Sequence, residues 1–161
     1  MNKLLVSLAL TLGVATGAHA VEGNAEAGQA KAAVCGACHG ADGNSAAPNF
    51  PKLAGQGERY LLKQITDIKE GRRNVIEMTG ILDGMSEQDM ADLAAYYASQ
   101  TGTLGVADPA LAARGEEIFR GGNLETGLPA CTGCHSPTGQ GNAPAAYPHL
   151  AGQHAAYTAK Q

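Results

Sequence analysis

The chain carries one short pattern twice, and this repeat decides what kind of fold it can adopt. Cys35-Gly36-Ala37-Cys38-His39 returns 96 positions later as Cys131-Thr132-Gly133-Cys134-His135. Pro51-Lys52-Leu53-Ala54-Gly55-Gln56 returns 97 positions later as Pro148-His149-Leu150-Ala151-Gly152-Gln153, so one residue has been inserted in the loop between the motifs. Two motifs recurring in order at a nearly constant offset indicate a duplicated domain. The break between the copies falls in residues 101–109, where Thr, Gly, Asp and Pro cluster and helical periodicity lapses. The two domains are therefore expected over residues 21–103 and 104–161.

Residues 1–20 stand outside this plan. Lys3 gives a positive start, an apolar run follows over 4–14, and Ala18-His19-Ala20 has the small-x-small form of a cleavage site. The stretch is too short for a membrane span, which takes roughly 20 apolar residues, and no later segment approaches that length. The mature chain is expected to begin at Val21 and to be exported to the periplasm. Lys3 is one of 11 Lys and Arg, which leaves 10 basic against 15 acidic residues. A chain that acidic does not suit nucleic acid, whose phosphates demand a basic face.

Each copy reads as helical, with no alternation that would argue for strands. Ser86, with Asp89 three residues on, marks a helix start, and Met90, Leu93, Ala94 and Tyr97 follow on one face. A second helix is expected over 59–70, with Leu61, Ile65 and Ile68 as its stripe and Gly71 as its stop. Shorter helices over 25–34 and 109–119 should lead into the cysteine pairs. Residues 40–51 and 136–148 should be loops. The architecture predicted is all-α: two tandem domains of a few short helices.

Four cysteines in an exported chain would ordinarily suggest two disulfides. Here each pair is separated by two residues and followed at once by histidine, which is the pattern of covalent haem attachment. Two thiols on neighbouring faces of a helix can each add to one vinyl group of the porphyrin, and the adjacent histidine then points at the iron. A redox-active dithiol and half of a zinc site are the competing readings, and a duplicated motif behind an export signal weighs against both. Haem also answers a shortage of core. Two Phe, five Tyr and no Trp are few for domains this small, whose own apolar surface stabilises them only weakly.

The first iron needs a second axial ligand, and Met78, Met85 and Met90 are the candidates. Met90 lies on the apolar stripe of the Ser86 helix, where a core role explains it. Met85 precedes the cap, where an apolar residue packs back on the helix. Met78, beside Thr79 and Gly80 in an unpatterned stretch, has no such role and is assigned to the iron. Arg72 and Arg73 follow a helix end, where solvated cations are favoured. Tyr96 and Tyr97 read as core or haem packing. His149 and His154 match Lys52 and Gly57 in the first copy, so they are not expected to be general ligands.

From residue 24 to the end, with the Pro-x-Leu-x-Gly segments after each haem motif, the chain resembles the class I cytochromes c and, within them, the two-haem periplasmic cytochromes c-four. The resemblance implies that Pro51 and Pro148 accept hydrogen bonds from the iron-ligating His39 and His135, and it places the family's methionine ligand at Met78. It further implies an electron carrier and not an enzyme, a monomer with at most loose membrane association. Its partners would be the cytochrome bc complex as donor and a terminal haem-copper oxidase as acceptor. Two other functions stay open: a dihaem peroxidase, which needs an open iron, and an electron-accepting subunit of a periplasmic dehydrogenase. One further expectation concerns the end of the chain. The second copy stops at Gln161, the position matching Gln64, before any counterpart of Met78 or of the Ser86 helix. The natural protein is therefore expected to continue by about 35 to 40 residues, by analogy with the first domain. If it does not, the second iron would have water, His149 or His154 as a makeshift ligand.

Overall fold

The computed structural model describes residues 21–161; the export signal expected over 1–20 lies outside the described residues. The helices are α1 Ala25–Lys31, α2 Ala33–His39, α3 Glu58–Lys69, α4 Glu87–Ser99, α5 Pro109–Gly121, α6 Thr132–His135 and α7 Ala155–Lys160, with a 3₁₀ turn at Ile76–Met78. Among the described residues there are no strands beyond two isolated bridges, Asn123 with Leu128 and Asn142 with Tyr147. None of these helices is long and apolar enough to cross a membrane.

α4 is the element on which the first half is built. Its start is a capping box: the Asp89 N–H donates to Ser86 Oγ at 3.1 Å, and the Ser86 N–H donates to the Asp89 carboxylate at 2.9 Å. Two orphan helix donors are thereby satisfied. Its stripe is buried as the spacing predicts, with Leu93 at 1% exposure. α1 and α3 both pack on α4. α1 comes so close that a Cβ at Gly28 would stand 2.0 Å from the carbonyl oxygen of Asp92, so only glycine permits this crossing.

The single helix expected over 25–34 is broken in two. The Ala32 N–H bonds back to Gln29 O at 3.3 Å, an i to i−3 turn tighter than the α-helix. This turn buries Ala32 and re-aims α2, so that Cys35 packs on the core made by Ala32, Leu93, Tyr96 and Tyr97. Sequence periodicity does not register such a break, because the residues on both sides are small and helix-compatible.

Asp92 is buried at this junction, yet it is well satisfied. It accepts from the Asn24 N–H at 2.9 Å, from Lys31 Nζ at 2.5 Å and from Gln88 Nε2 at 2.8 Å. The Lys31 hydrogen bond, followed by the Asn24 and Gln88 donors, lowers its pKa to about 2 from 3.8. A depressed carboxylate contributes stability above its unfolded pKa and loses it as pH falls through the folded one. The fold is therefore expected to weaken in acid between about pH 4 and pH 2. Asp92→Asn should be less stable at neutral pH and should flatten that limb; urea melts across the range check both.

The second half is assembled differently. Asp108 caps α5 by accepting from the Ala110 N–H at 2.9 Å, with Pro109 at the first helical position. Yet α5, α6 and α7 contribute no buried residue, and Leu111 is 67% exposed. What holds this half is its seam with the first. Arg59 Nη1 donates to Pro144 O at 2.6 Å, Arg73 Nη2 to Tyr157 Oη at 2.8 Å and Lys160 Nζ to Glu77 Oε1 at 3.3 Å. Arg73 thus departs from the solvated role expected for it. Its place after a helix end carries no trace of the second half folding back over it. Arg72 does stay on the surface, paired with Asp67 and Glu70.

Candidate functional site

In the first half the cysteine pair and its histidine lie within α2, in the second Cys131 caps α6 and Cys134 and His135 lie within it, and in each a glycine-pinned loop returns to them. In the first half the Leu53 and Ala54 N–H groups both donate to Gly43 O, at 2.8 and 3.2 Å; in the second, Leu150 and Ala151 donate to Gly139 O at 2.7 and 3.0 Å. Gly43 and Gly139 have φ of 82° and 73°, a conformation that favours glycine. This closure carries the proline carbonyl onto the histidine. His39 Nδ1 donates to Pro51 O at 2.9 Å, and His135 Nδ1 donates to Pro148 O at the same 2.9 Å.

A ring nitrogen facing a carbonyl oxygen must carry the proton, so the neutral tautomer this bond selects in each histidine is the one whose Nε2 has the free lone pair, the form in which imidazole binds a metal. Burial pushes the His39 pKa down, with the Pro51 bond opposing it. The neutral ring is thus the favoured state. An aromatic edge meets each ring: Phe50 stands 6.3 Å from His39 and Tyr147 stands 5.9 Å from His135, centroid to centroid. These two occupy matching positions before the repeated prolines. Sequence reasoning missed them, although the paired aromatic was visible one residue outside the motif.

A cavity of about 590 Å³ lies beside α2, lined by Cys35, Cys38, His39, Leu61, Ile65 and Met78 among others. That volume falls within the roughly 300–1,000 Å³ of small-molecule and cofactor sites. Met85 and Met90 do not line it: Met85 packs against the core cluster, and Met90 is buried in α4. Tyr96, by contrast, donates through Oη to Ala41 O at 3.0 Å. Among the described residues two buried polar atoms lack a partner, Tyr97 Oη and His149 Nε2, and both residues line this cavity. A large apolar plate with polar edges would fill such a space and satisfy such atoms, so the residues fit haem. Burial raises the Cys35 thiol pKa and pushes the Tyr97 phenol well up.

No disulfide joins any of the four cysteines. No group of three or more His, Cys, Asp or Glu gathers among the described residues to hold a metal. In the second half, α6 brings Cys131, Cys134 and His135 together with Pro148, but none of these three lines the large cavity. The makeshift ligands are turned elsewhere. His154 Nε2 lies 3.0 Å from Ser45 Oγ and 2.9 Å from Ser45 O, and His149 Nδ1 lies 3.4 Å from Gly55 O. Both histidines serve the seam between the halves.

Comparison with known proteins bears on the same residues. The family model described as cytochrome c matches residues 25–101 and again 112–161. The chain is 70% identical to the cytochrome c4 of Pseudomonas aeruginosa over 161 residues, which is 100% of this chain and 80% of that protein. It superposes on the crystal structure of reduced recombinant cytochrome c4 from Pseudomonas stutzeri with a TM-score of 0.84 at 66% identity, over 86% of this chain and 78% of that one. It is also 40% identical to a thiosulfate dehydrogenase electron acceptor of Thiomonas intermedia, over 81% of this chain and 62% of that protein.

Proposed function

The chain belongs to the cytochrome c4 family, dihaem electron-transfer proteins of two tandem class I cytochrome c domains with covalently bound haem, and from that premise we propose how its residues do this work and for whom. Cys35 and Cys38 form the thioether bonds of the first haem and Cys131 and Cys134 those of the second. His39 and His135, held by the Pro51 and Pro148 carbonyls, would each bind one haem iron through Nε2, and Met78, which lines the first cavity, would supply the second protein ligand of the first iron. The domains run over residues 21–103 and 104–161. The single observation that carries this reading is the repeated histidine-to-proline bond, 2.9 Å in both halves.

Bound haem supplies a one-electron couple whose potential follows axial-ligand identity and burial. The residues do the rest. The proline carbonyls hold each imidazole in one tautomer and one orientation, so little has to move between oxidation states. Leu61, Ile65 and Leu93 keep water from the inner side of the first cavity, and Met78 closes the position a substrate would need. This arrangement supports a carrier.

The finer reading is a periplasmic shuttle that takes electrons from the cytochrome bc complex and delivers them to a terminal haem-copper oxidase. Stopped-flow mixing of the holoprotein with each partner tests it: reduction by the bc complex and oxidation by the oxidase should both be fast and should both slow with rising salt, as expected for charged docking faces. Failure of either reaction overturns that partner. The likeness to a thiosulfate dehydrogenase electron acceptor favours a second reading, in which the donor is a periplasmic dehydrogenase. Rapid reduction by such an enzyme together with indifference to the bc complex would establish it.

A further inference from the structure

The seam between the halves contains a reciprocal arrangement that electron storage in two separate domains does not require. Gln153 spans to the first half and pairs with both backbone groups of one residue: the Lys52 N–H donates to Gln153 Oε1 at 2.9 Å, and Gln153 Nε2 donates to Lys52 O at 2.9 Å. Gln56 does the same in the opposite direction. The His149 N–H donates to Gln56 Oε1 at 2.7 Å, and Gln56 Nε2 donates to His149 O at 3.0 Å. Gln56 and Gln153 are matching positions of the repeat, as are Lys52 and His149. Gln56 is 6% exposed, so its amide is bound in protein and not shared with water.

What these amides touch gives the arrangement its consequence. The Lys52 N–H belongs to the same peptide group as the Pro51 carbonyl, which accepts from His39. The His149 N–H likewise belongs to the same peptide group as the Pro148 carbonyl, which accepts from His135. A peptide whose N–H is engaged by an acceptor is polarised, and its carbonyl oxygen becomes a stronger acceptor in turn. A stronger pull on Nδ1–H makes the imidazole a more basic ligand, which favours the oxidised iron. We propose that Gln56 and Gln153 are crossed positioning residues: each, from one domain, fixes and polarises the peptide that anchors the axial histidine of the other, and so sets that haem's potential. This rests on His39 and His135 being the axial ligands.

The test is a redox titration of the holoprotein followed by paramagnetic NMR, in which the two sets of haem methyl resonances are resolved. Gln153→Leu should raise the potential of the His39 haem and leave the His135 haem where it was, while Gln56→Leu should raise only the His135 haem. Gln153→Glu keeps the acceptor and adds negative charge, so it should lower the His39 haem instead. This opposite sign is one that a loosened interface would not produce, and the variant remains readable if the leucine form folds poorly. Unchanged potentials, equal shifts of both haems, or a shift confined to the haem of the mutated residue's own domain would each overturn the proposal. The histidine ligation beneath it is read separately, from the ligand imidazole resonances of the wild-type holoprotein. Their absence would remove the premise, whereas their presence with unmoved potentials refutes the crossed role alone.

Discussion

Met78→Ala is expected to lower the reduction potential of the first haem by a substantial share of the roughly 0.8 V that axial ligands span. Thioether sulfur favours reduced iron, whereas the water or hydroxide that would replace it favours the oxidised state. The weak sulfur-to-iron absorption band of the oxidised first domain should vanish, and its reduced form should bind carbon monoxide. Met78 sits at the end of a 3₁₀ turn, half-buried against the cavity, so its truncation leaves α3 and α4 nearly untouched. Met90→Ala should do the reverse. Met90 is 3% exposed, and its loss should cost about 2–5 kcal/mol of stability, as core truncations do, with the band intact. A titration and a melt on each variant separate the two roles. A band that survives Met78→Ala and disappears in Met85→Ala would assign the ligand to Met85.

Blocking haem attachment in the first domain, by Cys35→Ala with Cys38→Ala, should abolish its cooperative folding. Its buried large side chains are few: Leu82, Met90, Leu93, Tyr96 and Tyr97. A domain of about this size has little apolar core of its own to draw on. The cavity of about 590 Å³ beside α2 is far larger than the voids a packed interior leaves empty. The chain must therefore collapse or admit water when nothing fills the space. Far-ultraviolet circular dichroism should keep part of its helical signal while the near-ultraviolet signal and the sharp thermal transition are lost, the signature of a molten state. A first domain that melted sharply without haem would show that its side chains suffice.

Much of this was legible in the sequence because the constraints are local. A capping box at Ser86 and a stripe through Met90, Leu93 and Tyr97 determine α4 with no reference to the rest of the chain. The helices proposed to hold haem were legible because covalent attachment needs fixed residue types at fixed spacing. Neither the break at Ala32 nor the inward turn of Arg73 was legible. The first depends on how α1 meets α4 through Gly28, and the second on a half of the chain more than 80 residues away. The repeated glutamines illustrate the same limit. Their recurrence was plain, but their meaning lies in pairing across an interface, which a linear pattern does not carry. Phe50 and Tyr147 stood at matching positions too, and a longer alignment of the two copies against each other would have exposed them.

The most direct test of the account is an anaerobic reductive titration of the purified holoprotein, with absorbance and added electrons recorded together. Two electrons should be taken up per chain, each accompanied by the sharpening visible bands of a reduced low-spin haem, and both should be returned on reoxidation. Uptake of electrons in pairs without any visible change would mean that Cys35-Cys38 and Cys131-Cys134 act as dithiols, and a single electron per chain would mean that only one of the two sites carries haem; either result contradicts a dihaem carrier.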